Sequence, residues 1–114
     1  MRFLLLLLLL LPIQDYAMEN LKADPIKHQM AALAYCESRN KTTAYKARDP
    51  HTPSFGLFQY KEASWKYFIR KYDLFPEAED AELMTLIWDR YAQELVNRTV
   101  IINEKNWKKN WRTC

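Results

Sequence analysis

Apolar side chains recur at helical spacing in three stretches of this chain. In the first stretch they return every three or four positions, the period of an α-helix that buries one face. Asp24 followed by Pro25 is typical of a helix start, because aspartate caps free amides and proline suits the first turn. We therefore predict a helix over residues 25–39, with four side chains on its buried face: Ile26, Met30, Leu33 and Ala34.

The same period predicts two further helices. One covers residues 61–72, and the other covers residues 77–97, where acidic side chains crowd the first turns as the helix dipole favours. Residues 40–53 are polar and contain two Xaa-Pro steps, so they cannot form a continuous helix. The chain is therefore predicted to be mainly α-helical with a small β element. The apolar positions of the two later helices are Trp65, Phe68, Ile69 and Tyr72 in one, and Leu83, Leu86, Ile87, Tyr91 and Leu95 in the other.

Residues 1–17 have the pattern of a secretory signal peptide. Met1 and Arg2 supply a positive start, and an apolar run with eight consecutive leucines follows. This run is too short to cross a bilayer readily, which takes about 20 apolar residues. We expect cleavage after Ala17, leaving residues 18–114 as one domain that is secreted or resides in the cell envelope or periplasm without a membrane span. An uncleaved membrane anchor is the alternative.

Composition places the chain among small globular proteins. Of its 114 residues, 49% are apolar and 14% are aromatic, enough for a core, which argues against disorder. The net charge of +3 suits a polyanionic surface such as a bacterial cell wall, but it is too small to predict nucleic-acid binding. His28 and His51 lack partners at metal-ligand spacing, so no metal or other cofactor is predicted. We expect a monomer.

The two cysteines, Cys36 and Cys114, form an even set in a chain that is predicted to be exported. Such a count suggests a disulfide, which would tie the end of the first helix to the chain terminus. Closing so long a loop contributes on the order of 4 kcal/mol by restricting the unfolded state. Two unpaired thiols are the alternative.

Gly56 is the single glycine of the chain and lies in the segment 54–59, which reads Ser-Phe-Gly-Leu-Phe-Gln. A lone glycine is expected where the backbone needs a positive φ or where another group approaches closely. Seventeen residues before Ser54 comes Glu37, which continues the buried face of the first predicted helix near its C-terminus. The negative end of the helix dipole favours the neutral form of a carboxyl there, as a general acid requires.

Together the two segments resemble the active-site signature of the lysozyme-like superfamily, in its lytic transglycosylase and goose-type lysozyme branch. The chain is also similar to short exported bacterial proteins built around Cys-Glu-Ser, Thr-Pro-Ser-(Phe/Tyr)-Gly-Leu-Phe-Gln and a C-terminal Trp-x-x-Cys. The resemblance covers about residues 25–72. It implies a mainly α, α+β lysozyme-like fold, in which a small β-hairpin lines a cleft for peptidoglycan glycan strands.

The resemblance also implies residue roles. Glu37 would be the general acid/base that cleaves the β-1,4 bond between MurNAc and GlcNAc. Gln59 would hydrogen-bond the sugar, since an amide both donates and accepts. Ser54 and Gly56 would place backbone amides against the substrate, and we assign Tyr60 to the same site as part of an aromatic pocket.

A second carboxylate would distinguish the possible reactions. Asp49, in the predicted cleft loop, is the best candidate, and an ordinary Asp-Pro turn is the alternative reading. Lytic transglycosylases need no second acid, because the N-acetyl group and 6-hydroxyl of the substrate complete the reaction. With one strong glutamate, transglycosylation is favoured over hydrolysis.

Two departures from the family pattern leave other functions open. The later Ala-Tyr-Asn motif of many lytic transglycosylases is absent, with Tyr91 as a candidate substitute, and Arg39 stands where the short exported relatives have glycine. A non-catalytic peptidoglycan-binding module is therefore an alternative. A third possibility is a cationic protein that acts on membranes through the Trp- and Lys-rich tail, residues 104–114.

Overall fold

The computed structural model describes residues 24–47, 52–111 and 114. The predicted signal peptide and its predicted cleavage site lie outside the described residues. The helices are α1 (Pro25–Ser38), α2 (Glu62–Lys71), α3 (Asp80–Leu86) and α4 (Arg90–Asn103), followed by a 3-10 helix, Trp107–Trp111. Three short strands, β1 (Tyr45–Lys46), β2 (Ser54–Phe55) and β3 (Tyr60–Lys61), form an antiparallel sheet in the order β1-β2-β3. The prediction of a mainly α-helical chain with a small β element is confirmed.

Helix α1 forms as the sequence predicts. The Asp24 carboxylate accepts a hydrogen bond from the Lys27 amide at 3.2 Å, which caps the first turn. Met30, Leu33 and Ala34 are buried, so the predicted apolar face is the one that meets the core. This face packs against α4, the helix that also contacts α2.

The prediction of one long helix over residues 77–97 is wrong, because the structure contains two helices there. Helix α3 ends at Leu86, and α4 begins after Asp89, whose carboxylate accepts a hydrogen bond from the Ala92 amide at 2.9 Å. Because α4 starts as a separate helix at its own cap, its buried face differs from that of the predicted single helix, and Tyr91 is 70% exposed instead of buried. The buried positions of α4 are Ala92, Gln93, Val96, Asn97, Val100 and Ile101.

The core is built around aromatic side chains whose polar atoms are satisfied. Trp65 is fully buried, and its indole N–H donates to the Leu83 carbonyl at 2.7 Å. At the chain end, the buried Trp111 donates its indole N–H to the Phe58 carbonyl at 2.6 Å. The tryptophans of the tail therefore pack on the domain, with Trp107 ring to ring against Trp111 at 6.2 Å.

The predicted disulfide is present and joins the last turn of α1 to the chain terminus. Cys36 and Cys114 are bonded, with their Cα atoms 6.0 Å apart. Among the described residues, no helix has the length and apolar character needed to span a membrane.

Replacing both cysteines, with Cys36→Ser and Cys114→Ser, is expected to lower the free energy of unfolding by up to about 4 kcal/mol. The disulfide joins residues 78 positions apart, and without it the unfolded chain is no longer restricted by that loop. Denaturant unfolding followed by tryptophan fluorescence measures this loss. Chemical reduction of the wild-type chain serves as the control and should give the same midpoint. A loss below about 1 kcal/mol would show that the docked tail holds its place without the covalent link.

Candidate active site

Glu37 lies in the last turn of α1, half-buried, one turn beyond the buried Leu33 and Ala34. Two neighbours fix this helix end. The buried Ser38 hydroxyl donates to the Ala34 carbonyl at 2.9 Å and accepts from the Lys41 amide at 3.2 Å. The Lys46 ammonium of β1 donates to the main-chain carbonyl of Glu37 at 2.5 Å. The glutamate is therefore held on a rigid helix end that borders the sheet.

The backbone that leaves α1 is left-handed at two successive residues. Arg39 has φ = 55° and Asn40 has φ = 62°. Their amides donate to the carbonyls of Tyr35 (2.9 Å) and Ala34 (3.1 Å), which closes the helix end. Arg39 thus adopts a left-handed backbone that favours glycine, while its guanidinium lies 4.7 Å from the centre of the Tyr35 ring.

Gly56 meets both requirements expected of a lone glycine. Its φ is +79°, and a Cβ placed there would lie 2.9 Å from the side-chain Cδ of Gln93. Its amide donates to the Ala44 carbonyl at 2.7 Å. This amide is therefore already used within the protein, and the structural role of Gly56 is to let the turn close against Gln93.

Gln93 is a buried polar side chain that joins three separate segments. Its Oε1 accepts from the Leu57 amide at 2.7 Å, and its Nε2 donates to the carbonyls of Ile87 (2.6 Å) and Thr42 (3.1 Å). These partners belong to the turn after β2, the break between α3 and α4, and the loop after α1. The side chain is 1% exposed, and its bonds to Leu57 and Ile87 are shielded from water, whereas the bond to Thr42 is part-buried.

Gln59 closes the same turn with a positive φ of 54° and is half-buried. Its Nε2 donates to the Gly56 carbonyl at 2.9 Å and to the Ala44 carbonyl at 3.3 Å. Its Oε1 is shielded from water and has no hydrogen-bond partner in the described part of the chain. The donor half of the amide is thus committed to the turn, and the acceptor half is buried and unpaired.

The sheet register separates Ser54 from Tyr60. Lys46 pairs with Ser54, and Tyr45 and Tyr60 both pair with Phe55. Side chains of paired residues share a face, so Ser54 lies on the face of Lys46, which reaches the end of α1, whereas Tyr60 lies on the opposite face.

Tyr60 lies in the core, although the sequence assigned it to the substrate site. It is 5% exposed, and its hydroxyl donates to the fully buried Asn97 Oδ1 at 2.8 Å. Burial raises the pKa of Tyr60 well above its usual value, so the hydroxyl stays a donor. The structure therefore gives this ring a packing role behind the turn.

A groove of about 530 Å³ runs between α1 and α4 beside this helix end. Its lining includes Ala34 and Asn40, which precede and follow Glu37 in the chain, so the groove extends to the turn that carries the glutamate. The Glu37 side chain itself is not part of the lining. Tyr91, the candidate substitute for the tyrosine of the Ala-Tyr-Asn motif, lines the α4 wall of the groove.

Gly56 and Gln59 are thus bonded to the loop that joins α1 to β1. Ser54 pairs with Lys46, which bonds the Glu37 main-chain carbonyl, and Tyr60 lies on the opposite face of the sheet. Asp49, the possible second acid, lies outside the described residues. Within the described ranges, no cluster of three or more His, Cys, Asp or Glu side chains could hold a metal ion. No protein-family model, curated protein or solved structure matches this chain.

Sequence analysis missed two residues that position the site, Lys46 and Gln93. Lys46 gives no signal, because in the sequence a lysine on a two-residue strand looks like any surface lysine, although the structure half-buries it. Gln93 does give a signal in the sequence. With Asn97, it is a polar residue on the helix face that also carries Ala92, Val96 and Val100, and a polar side chain on a buried face needs partners.

Replacing Gln93 with methionine, which has a similar volume, should lower the free energy of unfolding by about 3–5 kcal/mol, because three backbone groups lose a buried partner. Chemical denaturation measures the loss. Glu94→Met on the exposed face of the same helix is the control and should change stability by less than about 0.5 kcal/mol. If Gln93→Met matched this control, the three bonds would not contribute to stability.

Arg39→Gly should raise the free energy of unfolding by about 1 kcal/mol, because glycine adopts φ = 55° without strain. Arg39→Ala is the matched control, since it removes the same contact with Tyr35 and keeps the left-handed strain. The alanine variant should therefore be no more stable than wild type in thermal unfolding. Equal effects of the two variants would contradict a strained helix end.

Proposed function

We propose that this chain is an exported, lysozyme-like enzyme that cleaves the MurNAc-GlcNAc β-1,4 bond of peptidoglycan, with Glu37 as general acid/base. One observation carries the proposal. The helix end bearing Glu37 is hydrogen-bonded to β1 through Lys46, and it lies beside a groove large enough for a sugar-sized ligand. The loop that leaves this helix end is in turn bonded to the turn that ends in Gln59.

The proposed reaction begins with proton transfer from the Glu37 carboxyl to the glycosidic oxygen, which leaves as the 4-hydroxyl of the GlcNAc unit when its bond to C1 of the muramoyl sugar breaks. As the bond breaks, the N-acetyl oxygen of the muramoyl sugar bonds to C1. The Glu37 carboxylate then takes the proton of the 6-hydroxyl, whose oxygen displaces the N-acetyl oxygen at C1. The product is a 1,6-anhydromuramoyl end, and Glu37 is protonated again.

Gln59 and Ser54 support this chemistry by position. The Gln59 Oε1 is a buried, unpaired acceptor on the turn bonded to the α1–β1 loop, and a rotation of the side chain that exposes it would let it accept from a sugar hydroxyl or N-acetyl N–H. Ser54 lies on the sheet face that meets the end of α1. Hydrolysis, in which water replaces the 6-hydroxyl and Asp49 serves as the second acid, is the alternative outcome at the same site.

A non-catalytic peptidoglycan-binding module is the second candidate, and the position of Lys46 favours it. Its ammonium lies at the main-chain carbonyl of Glu37. A cation at this edge of the site can hold a polyanionic wall polymer by charge alone, without any proton transfer. The groove and the Gln59 acceptor would serve binding equally well.

Digestion of purified peptidoglycan with the disulfide-bonded chain tests the proposal. Wild type should release soluble fragments with 1,6-anhydromuramoyl ends in mass spectra. Glu37→Gln, which keeps the shape and removes the acid, should lower the rate by at least about 100-fold. Glu77→Gln is a control for the loss of one exposed carboxylate and should leave the rate unchanged.

Each other result has a defined meaning. Reducing ends in place of anhydro ends would identify a hydrolase and direct attention to Asp49. Absence of soluble product from the folded wild-type chain, with Glu37→Gln binding peptidoglycan as tightly as wild type, would replace the enzyme by the binding module.

A further inference from the structure

The chemistry of the groove between α1 and α4 is not that of a site for sugar alone. Its floor is apolar and includes Met30, Ala31 and Leu95. Among the described residues, its walls carry three cationic side chains, Lys27, Arg90 and Arg98, and one acidic side chain, Glu94. Sugar rings are polar and uncharged, so a narrow apolar strip between cations favours a ligand that combines small apolar groups with carboxylates.

The two arginines are held by contacts that a ligand can replace. Arg90 lies 3.5 Å from a Glu94 carboxylate oxygen and 3.3 Å from the Asn40 side-chain oxygen, and Arg98 pairs with Asp24. About half of the Arg90 side chain and 40% of the Arg98 side chain are exposed. The exposed Arg90–Glu94 pair contributes at most about 1 kcal/mol, so an incoming carboxylate displaces it at little cost, whereas the part-buried Arg98 can bind a carboxylate through the exposed part of its side chain. The planar guanidinium can then bind that carboxylate through two hydrogen bonds.

The position of the groove relates this ligand to the proposed reaction. The groove reaches Ala34 and Asn40, on either side of Glu37 in the chain, and extends along α1 to Lys27. Seven helical residues from Lys27 to Ala34 span about 10 Å. Three extended peptide residues span about the same distance. The muramoyl sugar at the cleaved bond bears a short peptide stem, rich in alanine and in free carboxylates.

The geometry points to a binding site for the peptide stem of peptidoglycan in this groove, an inference that rests on the proposed function. Met30, Ala31 and Leu95 contact the alanine methyl groups. Lys27, Arg90 and Arg98 bind the stem carboxylates while the attached muramoyl sugar lies at Glu37. The substrate class is then the peptide-bearing glycan strand, and strands stripped of their peptides are poor substrates.

Two measurements test this site. In the first, the same peptidoglycan is digested before and after an amidase has removed its peptides, and stripped strands should show a kcat/KM at least about tenfold lower, equivalent to 1.4 kcal/mol. In the second, a synthetic stem tripeptide (alanine, γ-linked glutamate and a diamino acid) is titrated into isotope-labelled Glu37→Gln protein. Amide shifts should appear along α1 and α4.

Lys27→Glu is the diagnostic variant, because Lys27 is an exposed groove cation. It should weaken tripeptide binding and lower kcat/KM on peptide-bearing strands by about tenfold, and it should change cleavage of stripped strands by less than about twofold. Lys105→Glu carries the same charge reversal on the exposed segment between α4 and the 3-10 helix. It should match wild type in both assays.

The outcomes separate this inference from the proposed function. Equal cleavage of both substrates, without tripeptide shifts at millimolar concentration, would overturn the stem site and leave the Glu37 enzyme intact. Tripeptide shifts that Lys27→Glu abolishes, without cleavage of either substrate, would support the stem site and overturn the enzyme. If Lys27→Glu and Lys105→Glu lowered kcat/KM and tripeptide binding equally, the cause would be the overall charge of the protein, and the groove would not be a specific site.

Discussion

The buried amide of Gln93 is the interaction on which the candidate site depends. It holds the Leu57 amide and the carbonyls of Thr42 and Ile87, one from each segment that surrounds the site. None of these segments has enough regular structure to satisfy its own backbone, and an unpaired buried group costs about 1–3 kcal/mol. The Gly56 turn can approach the amide only because no Cβ lies between them. Helix α4 thus sets the shape of the site through one side chain.

The helix end with Glu37 is fixed by different means. The Ser38 hydroxyl and the left-handed backbone at Arg39 satisfy the last carbonyls of α1, and the Cys36–Cys114 bond adds a covalent link one residue before the glutamate. A general acid needs this rigidity, since a displacement of about 1 Å can remove much of its effect. The strain at Arg39 is therefore placed where surrounding contacts overdetermine the backbone.

Sequence reasoning located α1 and α2, because an Asp-Pro start and a helical apolar period are local signals. It missed the break between α3 and α4, because Leu83 and Ile87 continue one apolar stripe through it. The break is made by tertiary contacts, in which Gln93 takes the Ile87 carbonyl. Tyr60 was assigned to the site, since strands of two residues are too short to show which face a side chain takes.

Helix α1 connects the two proposals physically. Its earlier turns, from Lys27 to Ala34, form one wall of the groove, and in the proposed reaction its last turn would present Glu37 to the glycosidic bond. Because a helix is stiff and rises about 1.5 Å per residue, the fold would then fix the distance between the scissile bond and the bound stem. Binding of the stem would then orient the muramoyl sugar at the reacting atoms. Contacts remote from the reacting bond raise the rate of cleavage in this way. In this arrangement, the peptide stem does not react. Its contacts along α1 would still determine how well Glu37, in the last turn of that helix, is aligned with the glycosidic bond.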